Sequence, residues 1–242
     1  MSDSKIIIVT GASSGIGEAV AERLTAEGHH VVAGARRIER LEALAERVRG
    51  TGGSIEVRAL DVTDRAAVSA FVDATVATHG RLDVIVNNAG VMPLSRLDAL
   101  LVDQWDTMID VNVRGLLHGI AAALPHFQRQ SAGHVVTVAS IGAHEVVPTA
   151  AVYCATKYAA WAITEGLRLE VDSSIRVTTV SPGVVESELA NTITDSTAAA
   201  AMQDYRAAAI PPDAIARGIA YAIGEPADVD VNELIIRPAR QR

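Results

Sequence analysis

Several things are scarce in this chain. It has one cysteine, Cys154, in 242 residues, which excludes an internal disulfide framework and any cysteine-rich metal site. Aromatic residues make up 3%, so the core must be built from Ala, Val, Ile and Leu. Basic charge is in deficit: 21 Lys and Arg against 29 Asp and Glu give a formal net charge of −8. That argues against a general grip on nucleic acid, which needs a basic face. No apolar run reaches the ~18 residues of a membrane span. The opening Met-Ser-Asp-Ser-Lys lacks the basic region and apolar stretch of a secretory signal. The expected location is therefore the cytoplasm, with neither a nucleic-acid partner nor a membrane. The seven histidines show no ligand spacing with carboxylates or cysteine, so no metal is expected.

What is present is an ordinary globular balance, with 49% hydrophobic and 21% charged residues. The apolar period alternates between strand and helix. Short β-branched runs predict strands at Lys5–Thr10, His30–Ala35, Ile55–Leu60, Leu82–Val86, His134–Ala139, Ile175–Val180 and Glu233–Ile236. Helical spacing covers Ile16–Glu27, Arg37–Arg49, Ala66–Thr78, two stretches within Asp103–Gln130, and Ala151–Val171. Pro125 predicts a kink or an end to the second of those stretches. Strands alternating with helices of this length mean βαβ units: an α/β chain with a parallel sheet and helices on both faces. No linker or internal repeat interrupts the series, so residues 1–242 read as a single domain. The Ala-rich stretch Asn191–Ala209 is weakly patterned. It reads either as an Ala-rich surface helix or as part of a mobile lid over about 184–210, at the carboxyl end of the sheet where ligands bind.

Thr10–Gly17 reads T-G-A-S-S-G-I-G between the first strand and the first helix. Gly11 permits a sharp turn, Gly15 lets a phosphate approach the backbone, and Gly17 lets the helix pack on the sheet. The helix N-terminus offers free N–H groups and a positive dipole end to an anion. The spacing G-x-x-x-G-x-G differs from the more general G-x-G-x-x-G and from a P-loop. NAD binders place an acidic residue at the end of the second strand. Here Gly34 and Ala35 stand there, followed by Arg36 and Arg37. An arginine can grip a 2′-phosphate through a charge-assisted fork, which predicts NADP(H). Otherwise the two arginines are solvated residues at the start of the second helix.

Tyr153 and Lys157 stand four apart in Y-C-A-T-K, on one face of a helix. A nearby ammonium favours phenolate, and such a tyrosine can give or take a proton at a substrate oxygen. Ser140 ends the fifth strand, where its hydroxyl faces the ligand crevice or caps the following turn.

T-G-A-S-S-G-I-G, N-N-A-G at Asn87–Gly90, Asn112 in D-V-N-V-R-G, Ser140, Y-C-A-T-K and S-P-G at Ser181–Gly183 together resemble the short-chain dehydrogenase/reductase family, in order and spacing. The resemblance covers essentially the whole chain. It implies a Rossmann-like, doubly wound domain with seven parallel strands. It also implies an NADP(H)-dependent oxidoreductase that interconverts a carbonyl compound and an alcohol by hydride transfer. By that resemblance Asn112, Ser140, Tyr153 and Lys157 form the catalytic tetrad. Tyr153 is the acid/base and Ser140 the substrate-oxygen anchor. Lys157 binds the nicotinamide ribose, and Asn112 holds a water that links Lys157 to solvent. The cofactor positions implied are Gly11, Ser13, Ser14, Gly15, Ile16 and Gly17 in the turn, Arg36 and Arg37, Asp61 and Val62 near adenine, and Asn88, Ala89 and Gly90 near the adenosine ribose. Pro182, Gly183, Val185 and Ser187 follow on the nicotinamide side, together with Tyr153 and Lys157. The substrate wall implied is mostly apolar: Met92, Leu94, Ile141, Val147 and Val184, with His144 and Glu145 either on the substrate or in solvent. The ending I-I-R-P-A-R-Q resembles a subgroup that includes clavulanate dehydrogenase and bacterial 3-hydroxy acid dehydrogenases. Subunit pairing through the long helices is implied, as a homotetramer with a dimer next. Cys154 and Trp161 read as packing or interface residues. A non-catalytic dinucleotide sensor on the same fold is the alternative, as is epimerisation or dehydration through a transient hydride.

Overall fold

The computed structural model describes residues 4–241. The strands are β1 (Ile6–Thr10), β2 (His30–Ala35), β3 (Ser54–Ala59), β4 (Val84–Asn87), β5 (Gly133–Val138), β6 (Ile175–Pro182) and β7 (Glu233–Ile236). The helices are α1 (Gly15–Ala26), α2 (Ile38–Gly50), α3 (Arg65–His79), α4 (Val102–Ile109), α5 (Gly115–Gln130), α6 (Ala151–Glu170), α7 (Ser196–Tyr205) and α8 (Pro212–Gly224). All the strands join one parallel sheet in the order β3-β2-β1-β4-β5-β6-β7. The order reverses between β1 and β4, which opens a crevice at their carboxyl ends.

The continuous apolar runs of the strands divide by alternate residues between two cores. Ile7, Val9, Val31, Ala33, Val84 and Val86 face α1, α2 and α8 through Val20, Leu24, Leu41, Leu44, Ile215, Ile219 and Ile223. Ile8, Val32, Ile85 and Val135 face the other way, against Phe71, Leu116, Ile120, Phe127, Ala160 and Leu167. Those residues lie on α3, α5 and α6, so helices cover both faces.

Three features depart from the expectations. The helix α8 has no counterpart in the elements read from the sequence. Its start carries Pro212 and Asp213, and its buried residues Ile215, Ala216, Ile219, Ala220 and Ile223 repeat at helical spacing. Pro125 does not end its helix, because α5 continues to Gln130. Pro125 and Ala121 are both exposed, so the carbonyl that lacks a partner opens to water. The expected pair of helical stretches is joined without a break by a π-helical turn at Asp110–Arg114, a feature that often marks functional sites. No helix among the described residues is long and apolar enough to cross a membrane.

Candidate active site

A cavity of about 890 Å³ opens at the carboxyl ends of β1, β4, β5 and β6. The glycine turn forms one end of it. Gly11 has φ +67°, and a Cβ there would lie 2.7 Å from Ala89 Cα. A Cβ on Gly17 would lie 2.4 Å from Asn88 Nδ2 and 2.5 Å from Gly11 O. Gly17 therefore packs behind the turn, while Gly11, Ser13, Ser14, Gly15 and Ile16 line the cavity. Asn88 ties the turn to β4: its Nδ2 donates to Thr10 O at 2.9 Å, and its backbone N–H donates to Thr10 Oγ1 at 3.0 Å. Ser14, at the N-cap of α1, makes no side-chain capping bond, which leaves the first amides of the helix for an anion.

Arg36, Arg37 and Arg40 border the same end. Arg37 Nη2 donates to Ser14 Oγ at 2.8 Å and to Ser13 Oγ at 3.2 Å. Its Nη1 donates to Glu188 Oε2 at 2.8 Å, and Arg40 Nη1 donates to Glu188 Oε1 at 2.6 Å. These two hydrogen bonds hold the Glu188 carboxyl below its usual range. Arg36 is exposed and makes no hydrogen bond to the described residues. Its charge adds a small downward pull on Asp61, whose carboxyl is lowered chiefly by the Thr63 backbone N–H. Asp61, Val62, Ala89 and Gly90 also line the cavity, and a Cβ on Gly90 would lie 3.7 Å from Lys157 Nζ. Arg40 and Glu188 were absent from the residues singled out in the sequence. Arg40 follows Arg37 at helical spacing, a readable signal; Glu188 meets them only through the fold.

At the other end, α6 brings Tyr153 and Lys157 to the cavity, both buried. Lys157 Nζ lies 5.9 Å from the Tyr153 ring centroid and donates to Val138 O at 2.9 Å. Burial pushes the Lys157 ammonium down to about 8. Ser140 follows β5, and its Oγ accepts from Gly142 N at 3.0 Å. Capping and facing the crevice thus coexist, since the hydroxyl proton stays available to the cavity. A Cβ on Gly142 would lie 3.5 Å from both Ser140 Oγ and Tyr153 Cε1, so these side chains converge.

Asn112 sits in the π-helical turn, buried. Its Oδ1 accepts from Val91 N at 2.9 Å, and its Nδ2 donates to Val91 O at 2.9 Å and to Thr156 Oγ1 at 3.1 Å. It does not line the large cavity. With Lys157, Thr10 and Asn87 it lines a second, small cavity of about 10 Å³. Asn87 Nδ2 is buried without a hydrogen-bond partner among the described residues.

The remaining wall is mostly apolar, with Met92, Leu94, Ile141, Val147, Val184, Ala198 and Met202, and its polar members include Thr149, Asn191, Thr192 and Arg206. Pro182, Gly183, Val185 and Ser187 lie at the end of β6 and just beyond it. Cys154 is both packed, against Leu94, Met108 and Ala150, and part of the cavity wall. Glu145 lines the cavity, but His144, expected with it, does not. The 3₁₀ turn at Ile141–Ala143 carries His144 to the far side, where its Nε2 lies 2.9 Å from Glu233 Oε1 and 3.1 Å from Ser181 Oγ. Trp161 joins that group, with Nε1 3.4 Å from Glu233 Oε2.

A profile of short chain dehydrogenases matches residues 5–198. The chain belongs to the short-chain dehydrogenase family. Among its relatives is an uncharacterized oxidoreductase of Staphylococcus saprophyticus, 47% identical over 240 residues that cover 98% of this chain and 97% of the relative. Two solved structures of family members superpose closely. One is an alcohol dehydrogenase from the archaeon Thermococcus sibiricus complexed with 5-hydroxy-NADP, with TM-score 0.89, 29% identity and 99% of each chain covered. The other is the closed form of a serine dehydrogenase complexed with NADP+, with TM-score 0.87 and 30% identity, covering 95% of this chain and 93% of that one. As a member of this family the chain is an oxidoreductase.

Proposed function

We propose that this short-chain dehydrogenase is an NADP(H)-dependent enzyme that interconverts a carbonyl compound (a ketone, an aldehyde or a 3-oxo compound) and an alcohol. The observation that carries the reading is the convergence of Tyr153, Ser140 and Lys157 at one end of a cavity whose other end is a glycine turn flanked by arginines.

The donor set fits a dinucleotide. The uncapped start of α1 suits a diphosphate, and Arg36, Arg37 and Arg40 suit a 2′-phosphate. Asp61 and Val62 would lie beside adenine, Asn88 to Gly90 beside its ribose, and Pro182, Gly183, Val185 and Ser187 beside the nicotinamide. The archaeal alcohol dehydrogenase and the serine dehydrogenase, both complexed with NADP-type cofactors, support this choice.

When bound, the nicotinamide supplies or accepts the hydride. The chain's own residues handle the oxygen. The Ser140 hydroxyl donates to the substrate oxygen and orients it. The Tyr153 hydroxyl gives its proton as alkoxide develops; in the reverse direction its phenolate takes one from an alcohol. Lys157 orients the ribose, and its positive charge favours the phenolate of Tyr153. Asn112 clasps the Val91 backbone and so shapes the small cavity next to Lys157. That cavity matches the ~10–15 Å³ needed by one water, which would carry protons from solvent to Lys157.

The segment 184–210 acts as a lid. Its 3₁₀ turn Glu188–Thr192 and α7 both border the cavity, and Glu188 fastens it to Arg37 and Arg40. The wall formed by Met92, Ile141, Val147 and Val184 favours an apolar substrate. Exposed Ile109, Leu117 and Tyr158 on α4, α5 and α6 support subunit pairing through these helices; the expected assembly is a homotetramer, with a dimer next.

The test is a pair of dissociation constants, for NADPH and NADH, with initial rates over ketones, aldehydes and 3-oxo esters. Tighter NADPH and NADPH-driven reduction are expected. Equal or tighter NADH overturns the cofactor reading. Tight NADPH binding without turnover on any of these substrates shifts weight to a narrow unseen substrate or to the sensor.

A further inference from the structure

At the opposite end of the sheet from the cavity, three residues distant in sequence meet. His30 begins β2, Glu56 lies in β3, and His79 ends α3. We propose that His30, Glu56 and His79 form a binding site for one divalent transition-metal ion of the zinc class.

The geometry is that of a ligand set. Glu56 Oε1 lies 3.4 Å from His30 Nε2 and 2.9 Å from His79 Nε2. One donor atom from each residue lies within 4.8 Å of the other two. Two ligands on a tetrahedral ion with bonds of ~2.0–2.1 Å stand roughly 3.3 Å apart, which the His30–Glu56 distance matches. Both Nε2 atoms are buried, and neither has a hydrogen-bond partner among the described residues. The close approach of His79 to Glu56 is therefore not aligned as a hydrogen bond. Two buried imidazole nitrogens converging on one carboxylate oxygen point to an acceptor of lone pairs between them.

The surroundings support this. His30 Nδ1 lies 2.6 Å from Ser54 Oγ. A proton held on Nδ1 by that contact leaves the lone pair on Nε2, the usual arrangement behind a metal-bound histidine. Arg58 donates to Glu56 Oε2 at 2.6 Å. It fixes the carboxylate and leaves Oε1 for the ion. Two imidazole nitrogens and one shared carboxylate offer too few oxygens for calcium or magnesium, and suit zinc, nickel or copper. The ion would pin the edge strand β3 to β2 and to the end of α3, a stabilising role away from the active site.

The test titrates Zn²⁺ into the untagged full-length protein, followed by calorimetry and thermal unfolding, with Mg²⁺ as control. One Zn²⁺ per chain and a rise in melting temperature are expected, with no response to Mg²⁺. His30→Gln and His79→Gln, each confirmed as folded by its metal-free melting curve, should weaken that binding at least tenfold. Ser54→Ala, which removes only the support behind His30, should weaken it about tenfold. No saturable binding, or binding and a melting shift that persist unchanged in both histidine variants, overturns the proposal.

Discussion

Arg37 Nη1 sits 2.8 Å from Glu188 Oε2. The same guanidinium grips Ser13 and Ser14 in the glycine turn. One arginine thus joins the floor of the cavity to the segment above it, and Glu188 is the anion paired with the arginines proposed to take a 2′-phosphate. Removing its charge removes a competitor. Glu188→Gln should tighten NADPH by roughly threefold, the scale of an exposed ion pair, and leave NADH nearly unchanged. Paired dissociation constants check this, and weaker NADPH binding would contradict it.

Arg37 should matter in the opposite sense. Arg37→Ala should weaken NADPH about tenfold, the worth of one charge-assisted hydrogen bond. NADH, which lacks the 2′-phosphate, should weaken far less. Equal losses for both cofactors would mean that Arg37 only supports the turn through Ser13 and Ser14.

Lys157 is buried and held at about 8 instead of its ordinary 10.5. The unfolded chain therefore binds a proton between those values that the folded chain does not, so stability rises with pH across that window. Below it the full cost of the buried charge applies, about 3 kcal/mol. Loss of the hydrogen bond to Val138 O offsets about 1 kcal/mol of any gain. Lys157→Met should accordingly melt higher than wild type at neutral pH without cofactor, and the gap should close as pH rises towards 10.5. A gap that is constant with pH would contradict the assignment. Activity should be lost throughout.

Gly17 admits no side chain. Its Cβ would meet the backbone of Gly11 at 2.5 Å as well as Asn88 Nδ2. Gly17→Ala should cost about 1–3 kcal/mol by overpacking, read by denaturant unfolding, and weaken cofactor binding. An unchanged midpoint would show that the turn can shift freely.

Local patterns made most of the fold readable. The seven strands and the helices around them rest on apolar runs and helical spacing, and Tyr153 and Lys157 meet because four residues make about one turn. α8 had the same kind of signal in Ile215, Ile219 and Ile223 and could have been read. Other features depend on contacts that no short window contains. Glu188 meets Arg37 from 151 positions further along the chain. His144 turns to Glu233 on β7 instead of to the cavity, because the 3₁₀ turn after Ser140 sets its direction. The π-helical turn that buries Asn112 is an extra residue in a helix, invisible to a period of 3.6. His30, Glu56 and His79 come from three elements, so no ligand spacing along the chain announces them.

The central claim is that Tyr153 moves the proton while the rest of the site holds cofactor and substrate. The most direct measurement compares Tyr153→Phe with wild type, taking NADPH affinity and the rate of NADPH-dependent carbonyl reduction on the same preparations. NADPH affinity within a few-fold and turnover lower by about 10²–10⁴-fold are predicted, the usual contribution of a general acid. Turnover close to wild type, with NADPH bound as before, would contradict the account.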